Sequence, residues 1–543
     1  MNVFSISKTA LMGLALILTM LAVFLYLIAR TVLFLIEPYL WFEKIVAFCL
    51  LCAETFVLIH SLGYFLNVLN VILNTKPAKP VEVKPAVLRG YPPVAIVVAS
   101  YKEPLEVVED TITCFYNLTY PNKHLYFLDD TRYDTAWDTP EKMEAYKKDV
   151  EVLCQNIGVN LFRRRWHGAK AGMINDFLEF VEGNQREDFQ FFPFEEKKRD
   201  EKEKYIIVFD ADMNPFPDFV EPLVAMMERD SQLAFVQTPQ YYSNFEFNRV
   251  ARASGLQQAV FYEYICEGKS SQDAMFCCGT NVIFRTKALA DVGGFDESSV
   301  TEDFATSLKF HTKAWKSAYL NKVCAFGMGP EDLGGYFRQQ FRWALGTVGL
   351  FRTIAGVFIK NPFSLKPAKW WEYFLSGTHY FVGWVFLVMA YCPILYLFFK
   401  VPSYFSKPEI YIIFFLPYII LSLTMFFSTL HQRMYTFKDL VQGILLNAIS
   451  FPVFMKASLL GILGVRGSFA ITPKGQSRAL PLSNIWPQLL TAVLSFAAVI
   501  VGINRLYYER EPAAAIIANS FWSFYHFIIL TTVLYFNHPE EHE

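Results

Sequence analysis

Three hydrophobic runs in the middle of this sequence end in or beside carboxylates, and acidic groups at such places can do two kinds of chemistry. YIIVFDAD (Tyr205 to Asp212) closes on Asp210 and Asp212, ahead of the helix-breaking turn MNPFPD. Hard oxygen ligands of this kind suit Mg²⁺ or Mn²⁺, with one or two carboxylates sharing the ion with substrate phosphates. The same pair also serves as ordinary turn formers or helix caps. HLYFLDD (His124 to Asp130) ends on Asp129 and Asp130, and VAIVVAS (Val94 to Ser100) is followed by Tyr101 and Glu103. These acids either end strands or receive the donors of a nucleoside, a metal ion, or both. Farther along, Thr301, Glu302 and Asp303 precede the run FATSLKFHTKAW. Thr301 can cap that helix, with Asp303 in the first turn where the helix dipole favours it. Alternatively, Asp303 is a general base that takes a proton from an acceptor hydroxyl. Arg338, Gln339, Gln340, Phe341, Arg342 and Trp343 then stand just before a set of apolar segments. There an Arg can stabilise a diphosphate leaving group and a Trp can stack on a sugar ring, or both can anchor the chain at a membrane interface.

The elements that must position these residues read as an α/β domain over residues 94–345. The run VAIVVAS is apolar and rich in β-branched residues, like a strand buried on both faces, and the other two runs are further apolar strands. A helical stretch from Glu106 to Tyr116 follows the first. An open parallel sheet binds its ligand just beyond the carboxyl ends of its strands, where the acids stand. The segment from Arg186 to Lys204, with its charge run from Glu195, reads as a solvated insertion.

The rest of the chain is apolar. Of 543 residues, 53% are hydrophobic and 18% charged, a balance that suits a protein partly dissolved in lipid. A net charge of −2 gives no reason to expect nucleic acid as a partner. The nine cysteines are scattered without zinc-ligand spacing, as expected of reduced thiols facing the cytosol. Residues 1–73 hold two candidate spans, at about 10–28 and 44–69. Residues 74–93 form a basic, Pro-rich linker that hugs a membrane surface. Apolar segments return at about 372–399, 408–430, 441–464, 485–503 and 513–536. Lys456 near the centre of the third argues for leaving that one at the interface. About six spans plus interfacial helices result, with both termini and the α/β domain cytosolic. The C-terminal part divides into interfacial and spanning helices at 346–465, a loop at 466–482 and two final spans at 483–537.

In order, these pieces resemble the membrane-integrated, processive family 2 glycosyltransferases, most of all the bacterial cellulose synthase catalytic subunits, over about residues 94–480. Ser100-Tyr101-Lys102-Glu103-Pro104 looks like the family's uridine-contacting first loop, with Lys for the usual Asn. Asp130, with Asp129, occupies the uridine-contacting aspartate, although Thr131 replaces the family's Gly. His167-Gly168-Ala169-Lys170-Ala171-Gly172 resembles His-x-Lys-Ala-Gly with one extra residue, which turns Lys170 toward the nucleotide. Asp210-Ala211-Asp212 matches the metal-binding triplet, and Val236-Gln237-Thr238-Pro239 a segment beside the active site. Phe276-Cys277-Cys278-Gly279-Thr280 resembles the acceptor segment, carrying over Cys278 and Gly279. Thr301-Glu302-Asp303 matches the catalytic-base motif. Gln339-Gln340-Phe341-Arg342-Trp343 matches Gln-x-x-Arg-Trp, a hallmark of processive members. Phe469-Ala470-Ile471-Thr472-Pro473-Lys474-Gly475 resembles the gating loop, with Thr472 and Lys474 reaching the diphosphate.

The resemblance implies a GT-A-type domain inserted between transmembrane helices of a cell-membrane protein. It implies inverting transfer from a UDP-sugar to a growing polysaccharide, with Mg²⁺ or Mn²⁺ on Asp212 and Asp210 and with Asp303 as base. Gln339 and Arg342 would serve the donor, and Trp343 the acceptor. The expected product is a β-linked glucan (β-1,4, β-1,3 or mixed) made from UDP-glucose and carried across the bilayer, with room for accessory export subunits as partners. A hyaluronan- or chitin-type synthase using UDP-N-acetylglucosamine, a non-processive lipid glycosyltransferase, and a transporter or receptor with a cytosolic α/β domain are the rivals. The cellulose synthase subunits also carry a cyclic-di-GMP-binding PilZ domain. Only a short acidic tail follows about Phe536 here, so control by that messenger is expected from another chain.

Overall fold

The computed structural model describes residues 8–74, 90–196, 201–404, 408–465, 478–509 and 513–538. At its centre is an eight-stranded mixed sheet with the spatial order Lys316–Tyr319, Leu233–Gln237, Val282–Arg285, Tyr205–Asp210, Val94–Ser100, Lys123–Asp129, Asn160–Arg163, Gln190–Phe192. The first three strands in sequence run outward in parallel register, and the chain then returns to lay Tyr205–Asp210 on the other side of Val94–Ser100. Ala99 pairs with Asp210 on one side, and Ser100 with Asp129 on the other. That return is a topological switch point, which opens a crevice at the strand ends.

The apolar runs are explained by burial on both faces. Val94, Ile96 and Val98 pack into one core with Phe127, Ile207 and Phe209. Ala95 and Val97 pack into the opposite core with Leu128, Ile206 and Val208. Each such side chain taken fully out of water contributes about 1.5–3 kcal/mol, so the three central strands are rigid mounts for the acids at their ends.

Between residues 186 and 204 the expected solvated insertion is partly built into the sheet. Gln190–Phe192 pairs antiparallel with Asn160–Arg163 at the edge, and Glu195 bonds His124 and Asn160. The alternating Phe residues, hidden in a charge-rich stretch, supply the burial that makes this an edge strand.

Seven helices among the described residues are long and apolar enough to cross a membrane: Thr9–Ile36, Trp41–Asn74, Leu333–Lys360, Pro367–Phe399, Glu409–His431, Trp486–Tyr508 and Ala513–Asn537. Six were expected. The addition is Leu333–Lys360, whose arginines dilute the apolar signal in sequence and whose length passes through the domain boundary expected at 345. The segment 441–464 is no straight span. It forms two helices, Phe437–Ile449 and Phe451–Ile462, bent by 53°. Most of the basic linker and the Thr472 and Lys474 positions lie outside the described residues.

The α/β domain is fastened to the apolar helices by a buried ion pair. Lys269 lies on the short helix Cys266–Ser271, and its Nζ donates to Glu372 Oε2 at 2.6 Å and to Ser376 Oγ at 3.0 Å. Asn67, on Trp41–Asn74, donates to the other Glu372 oxygen at 3.2 Å. A Cβ on Gly268 would come within 2.3 Å of Asn67 Oδ1, so only glycine permits this approach. Glu372→Ala would leave an ammonium buried without its carboxylate. It is expected to destabilise the protein by about 3–5 kcal/mol, read as a lower Tm in detergent.

Candidate active site

The strand ends, the residues before the second helical region and the apolar helices all open onto one cavity of about 1960 Å³. A pocket for one drug-sized ligand needs roughly 300–1,000 Å³, so this one has room for a donor and several acceptor units.

At the switch point, Tyr101, Glu103, Asp130, Asp210 and Asp212 line the cavity, but Asp129 does not. Asp129 ends its strand with the side chain turned inward, where it accepts from Arg163 Nε at 2.7 Å and Tyr133 OH at 2.8 Å. Of the paired aspartates, Asp130 alone therefore faces the cavity, just past the end of the strand. Burial pushes the Asp130 carboxyl up to about 7, against the pull of Arg164, whose Nη2 lies 3.0 Å away.

Lys170 Nζ pairs with Asp210 Oδ1 and donates to the Gly279 carbonyl at 2.8 Å. Lys170 lines the same cavity, and there it holds the first aspartate of the triplet. Burial works to lower its ammonium, and Asp210, Glu302 and Asp303 outweigh that and raise it. Asp210 and Asp212 fit a divalent cation, since Mg²⁺ or Mn²⁺ takes one or two protein carboxylates and fills the remaining positions with phosphate and water. A closed protein cage would need more, and among the described residues no group of three or more His, Cys, Asp or Glu gathers.

Across the cavity, the helix Glu302–Thr312 presents Glu302 and Asp303. Thr301 stands at the N-cap position but makes no side-chain capping bond, so the structural alternative for this motif loses its main support. Asp303 Oδ1 accepts from the Phe304 N–H at 2.7 Å. A Cβ built on Gly279, whose φ is +83°, would lie 3.1 Å from Asp303 Oδ2, so any larger residue would crowd the carboxylate. The Gly279 loop is held by Gln237, whose Oε1 accepts from Cys278 N at 2.8 Å and whose Nε2 donates to Thr280 O at 2.7 Å. Cys277 N donates to Ser307 Oγ at 2.8 Å, which ties that loop to the Asp303 helix.

Burial and then the Glu302 charge raise the Asp303 carboxyl to about 7. Glu302 is also raised, by burial. A group acting as base must be ionised, so a reaction that uses Asp303 as its base is expected to slow as pH drops through about 7 and to level off above it. Initial rates between pH 5.5 and 9 check this.

Gln339, Arg342 and Trp343 line the next stretch of wall, from the helix Leu333–Lys360. Asp332 caps this helix by accepting from Gly335 N at 2.6 Å and receives Arg478 N on its other oxygen at 3.2 Å. Cys278 lies opposite. A π-helical turn, Phe261–Ile265, puts Phe261, Tyr262 and Ile265 on the wall. The cavity then runs between apolar helices, lined from Phe56 to Asn67 on Trp41–Asn74 and by Tyr418, Ser422 and Phe426 on Glu409–His431. Trp166, Arg132 and Glu297 also line the donor end. No sequence motif singled these three out; Trp166 stands one residue before one, and Arg132 packs 3.1 Å over its ring centroid.

A mixed sheet with acids at its switch point faces a helix that offers two carboxyls, and the comparisons with known proteins bear on what such a site is for. Residues 95–293 match the model of glycosyl transferase family 2, and residues 205–428 that of glycosyl transferase family group 2. These two stretches of the chain thus resemble family 2 glycosyltransferases in sequence. Within that class it is cellulose-synthase-like over most of its length. It is 26% identical to the cellulose synthase catalytic subunit (UDP-forming) of Pseudomonas fluorescens over 91% of this chain and 62% of that one. It is 30% identical to the corresponding subunit of Xanthomonas axonopodis pv. citri over 62% of this chain and 41% of that one. It is thus shorter in span than these relatives, matching about three-fifths of their length or less. A solved mannosyltransferase from Pyrobaculum calidifontis, in complex with GDP-Man and Mn²⁺, aligns at 15% identity with a TM-score of 0.48, over 78% of this chain and all of that one.

Proposed function

We propose that the chain is a processive, inverting synthase that builds a cellulose-like β-glucan from UDP-glucose and passes it into the membrane as it grows. The observation that carries this is the continuity of the cavity, from Asp210 and Asp303 past Trp343 to the apolar helices. A single-addition enzyme needs a donor pocket and an acceptor mouth, not a track leading away through its helices.

In this reading Asp130, Tyr101 and Glu103 seat the uridine. Asp303 removes the proton from the acceptor hydroxyl, and that oxygen attacks the anomeric carbon of the α-linked donor, inverting it. A divalent cation on Asp212 and Asp210 supplies positive charge where the diphosphate leaves. Arg342 adds to that charge, and Trp343 stacks on the terminal sugar. The α/β domain and both termini are cytosolic.

Purified protein in vesicles, given Mg²⁺ with UDP-glucose or with UDP-N-acetylglucosamine, tests the proposal. The expected product is a polymer from UDP-glucose that linkage-specific glucanases degrade. Single-sugar lipid products would favour the non-processive alternative, and polymer from the acetylated donor alone would move the enzyme to the chitin or hyaluronan type.

A further inference from the structure

The turn before Lys170 carries one residue more than the His-x-Lys-Ala-Gly pattern, and the structure shows how that residue is accommodated. Gly168 and Ala169 are consecutive left-handed residues, with φ of 60° and 48°. For an alanine that conformation is strained and must be held by its surroundings. Arg164 holds it, with its guanidinium donating to the carbonyls of Arg165, His167 and Ala169 at 2.9, 2.6 and 3.3 Å.

The bulge leaves His167 out of the cavity lining and sets it against two carboxylates. Its Nε2 lies 2.7 Å from Asp176 Oδ2 and its Nδ1 3.2 Å from Glu297 Oε2. The Arg164 side chain is fully buried between Asp130 Oδ1 and Asp176 Oδ2, each at 3.0 Å. Arg186 Nη1 reaches the other Asp176 oxygen at 2.7 Å. From the nucleotide seat the contacts therefore run Asp130, Arg164, Asp176, His167, Glu297.

The far end is the segment that leads into the base motif. Asn175 donates to Glu297 Oε1 at 2.8 Å and to Phe295 O at 3.0 Å, and accepts from Phe295 N at 2.7 Å. Asp296 N then donates to Thr306 Oγ1 at 2.9 Å, and Thr306 Oγ1 to Glu302 O at 2.6 Å, on the helix that bears Asp303. The backbone of the bulge passes so near that a Cβ on Gly168 would sit 2.3 Å from Glu297 Oε2.

We propose that His167 and Glu297 are positioning residues that couple occupancy of the nucleotide seat to the placement of Asp303. Neither touches the reacting atoms. Their contact transmits the position of the Asp130 side of the site to the segment on which the base is mounted. This rests on the donor and base assignments proposed above. Small displacements of a reacting group are costly, so the effect appears in turnover and not in donor binding.

The test uses the full chain in detergent or vesicles. His167→Ala is expected to lower kcat about tenfold, leaving the UDP dissociation constant and Tm unchanged. His167→Gln, which keeps a side-chain N–H, should recover most of the rate. The double variant His167→Ala with Glu297→Gln should be no slower than His167→Ala alone, because both remove one contact. An unchanged kcat in His167→Ala overturns the coupling. So does a loss of UDP affinity in step with rate, a lowered Tm that accounts for the lost rate, no recovery in His167→Gln, or additive effects in the double variant. Failure of the wild-type chain to transfer sugar from UDP-glucose would instead remove the donor reading beneath it.

Discussion

Replacing Asp303 by Asn is expected to cut sugar transfer about 10³-fold with the donor KM changed little, since a positioned general base contributes about 10²–10⁴. Asn is nearly the same size and its carbonyl can still accept from the Phe304 N–H, the bond that orients the side chain at 2.7 Å. What it loses is the ability to take a proton. The carboxylate it replaces sits at the start of a helix beside Gly279, where a side chain larger than hydrogen would crowd it. Single-turnover release of UDP, with binding of UDP measured separately, distinguishes a lost base from a lost fold. A variant that still polymerised at near the wild-type rate would sink the assignment.

Chelation of divalent cations is expected to stop transfer outright, and Asp212→Asn to lower it by about 10² or more, with part of the rate returning in excess Mn²⁺. Negative charge develops on the departing diphosphate, and fixed positive charge there acts mainly on the transition state. Asp210 is the less clean site to test, because its replacement would also remove the ion pair to Lys170. A rate indifferent to chelation and to Asp212→Asn would remove the metal from the proposal.

Much of the catalytic domain was legible because its strands obey a simple rule. A strand buried on both faces must be apolar throughout, so the acids after Val94–Ser100 and within Tyr205–Asp212 stood out at their ends. The role of each acid was less legible. Asp129 and Asp130 are neighbours in sequence, yet one is locked to Arg163 inside the sheet edge and the other opens on the cavity. The contact between His167 and Glu297 spans 130 residues, and nothing local announces it. Leu333–Lys360 escaped as a long apolar helix because hydropathy averages over faces, and its arginines share turns with apolar residues. The Gln190–Phe192 strand escaped for the same reason in a charged stretch.

The extent of the cavity within the apolar helices has a consequence for the membrane as an electrical barrier. Its lining on Trp41–Asn74 stops at Phe56, eleven residues from Asn67, or about 16 Å of helix at about 1.5 Å per residue. A hydrocarbon core is about 30 Å thick, so a vestibule of that length spans roughly half of it if that helix crosses. Beyond Phe56 no residue of that helix lines the cavity. A conduit wide enough for a glycan would otherwise short-circuit any ion gradient across the same bilayer. The inner end of that vestibule is expected to act as a stopper in the resting protein, so vesicles holding the protein without donor are expected to keep a proton gradient as long as empty ones. Rapid dissipation of that gradient would show the stopper to be absent.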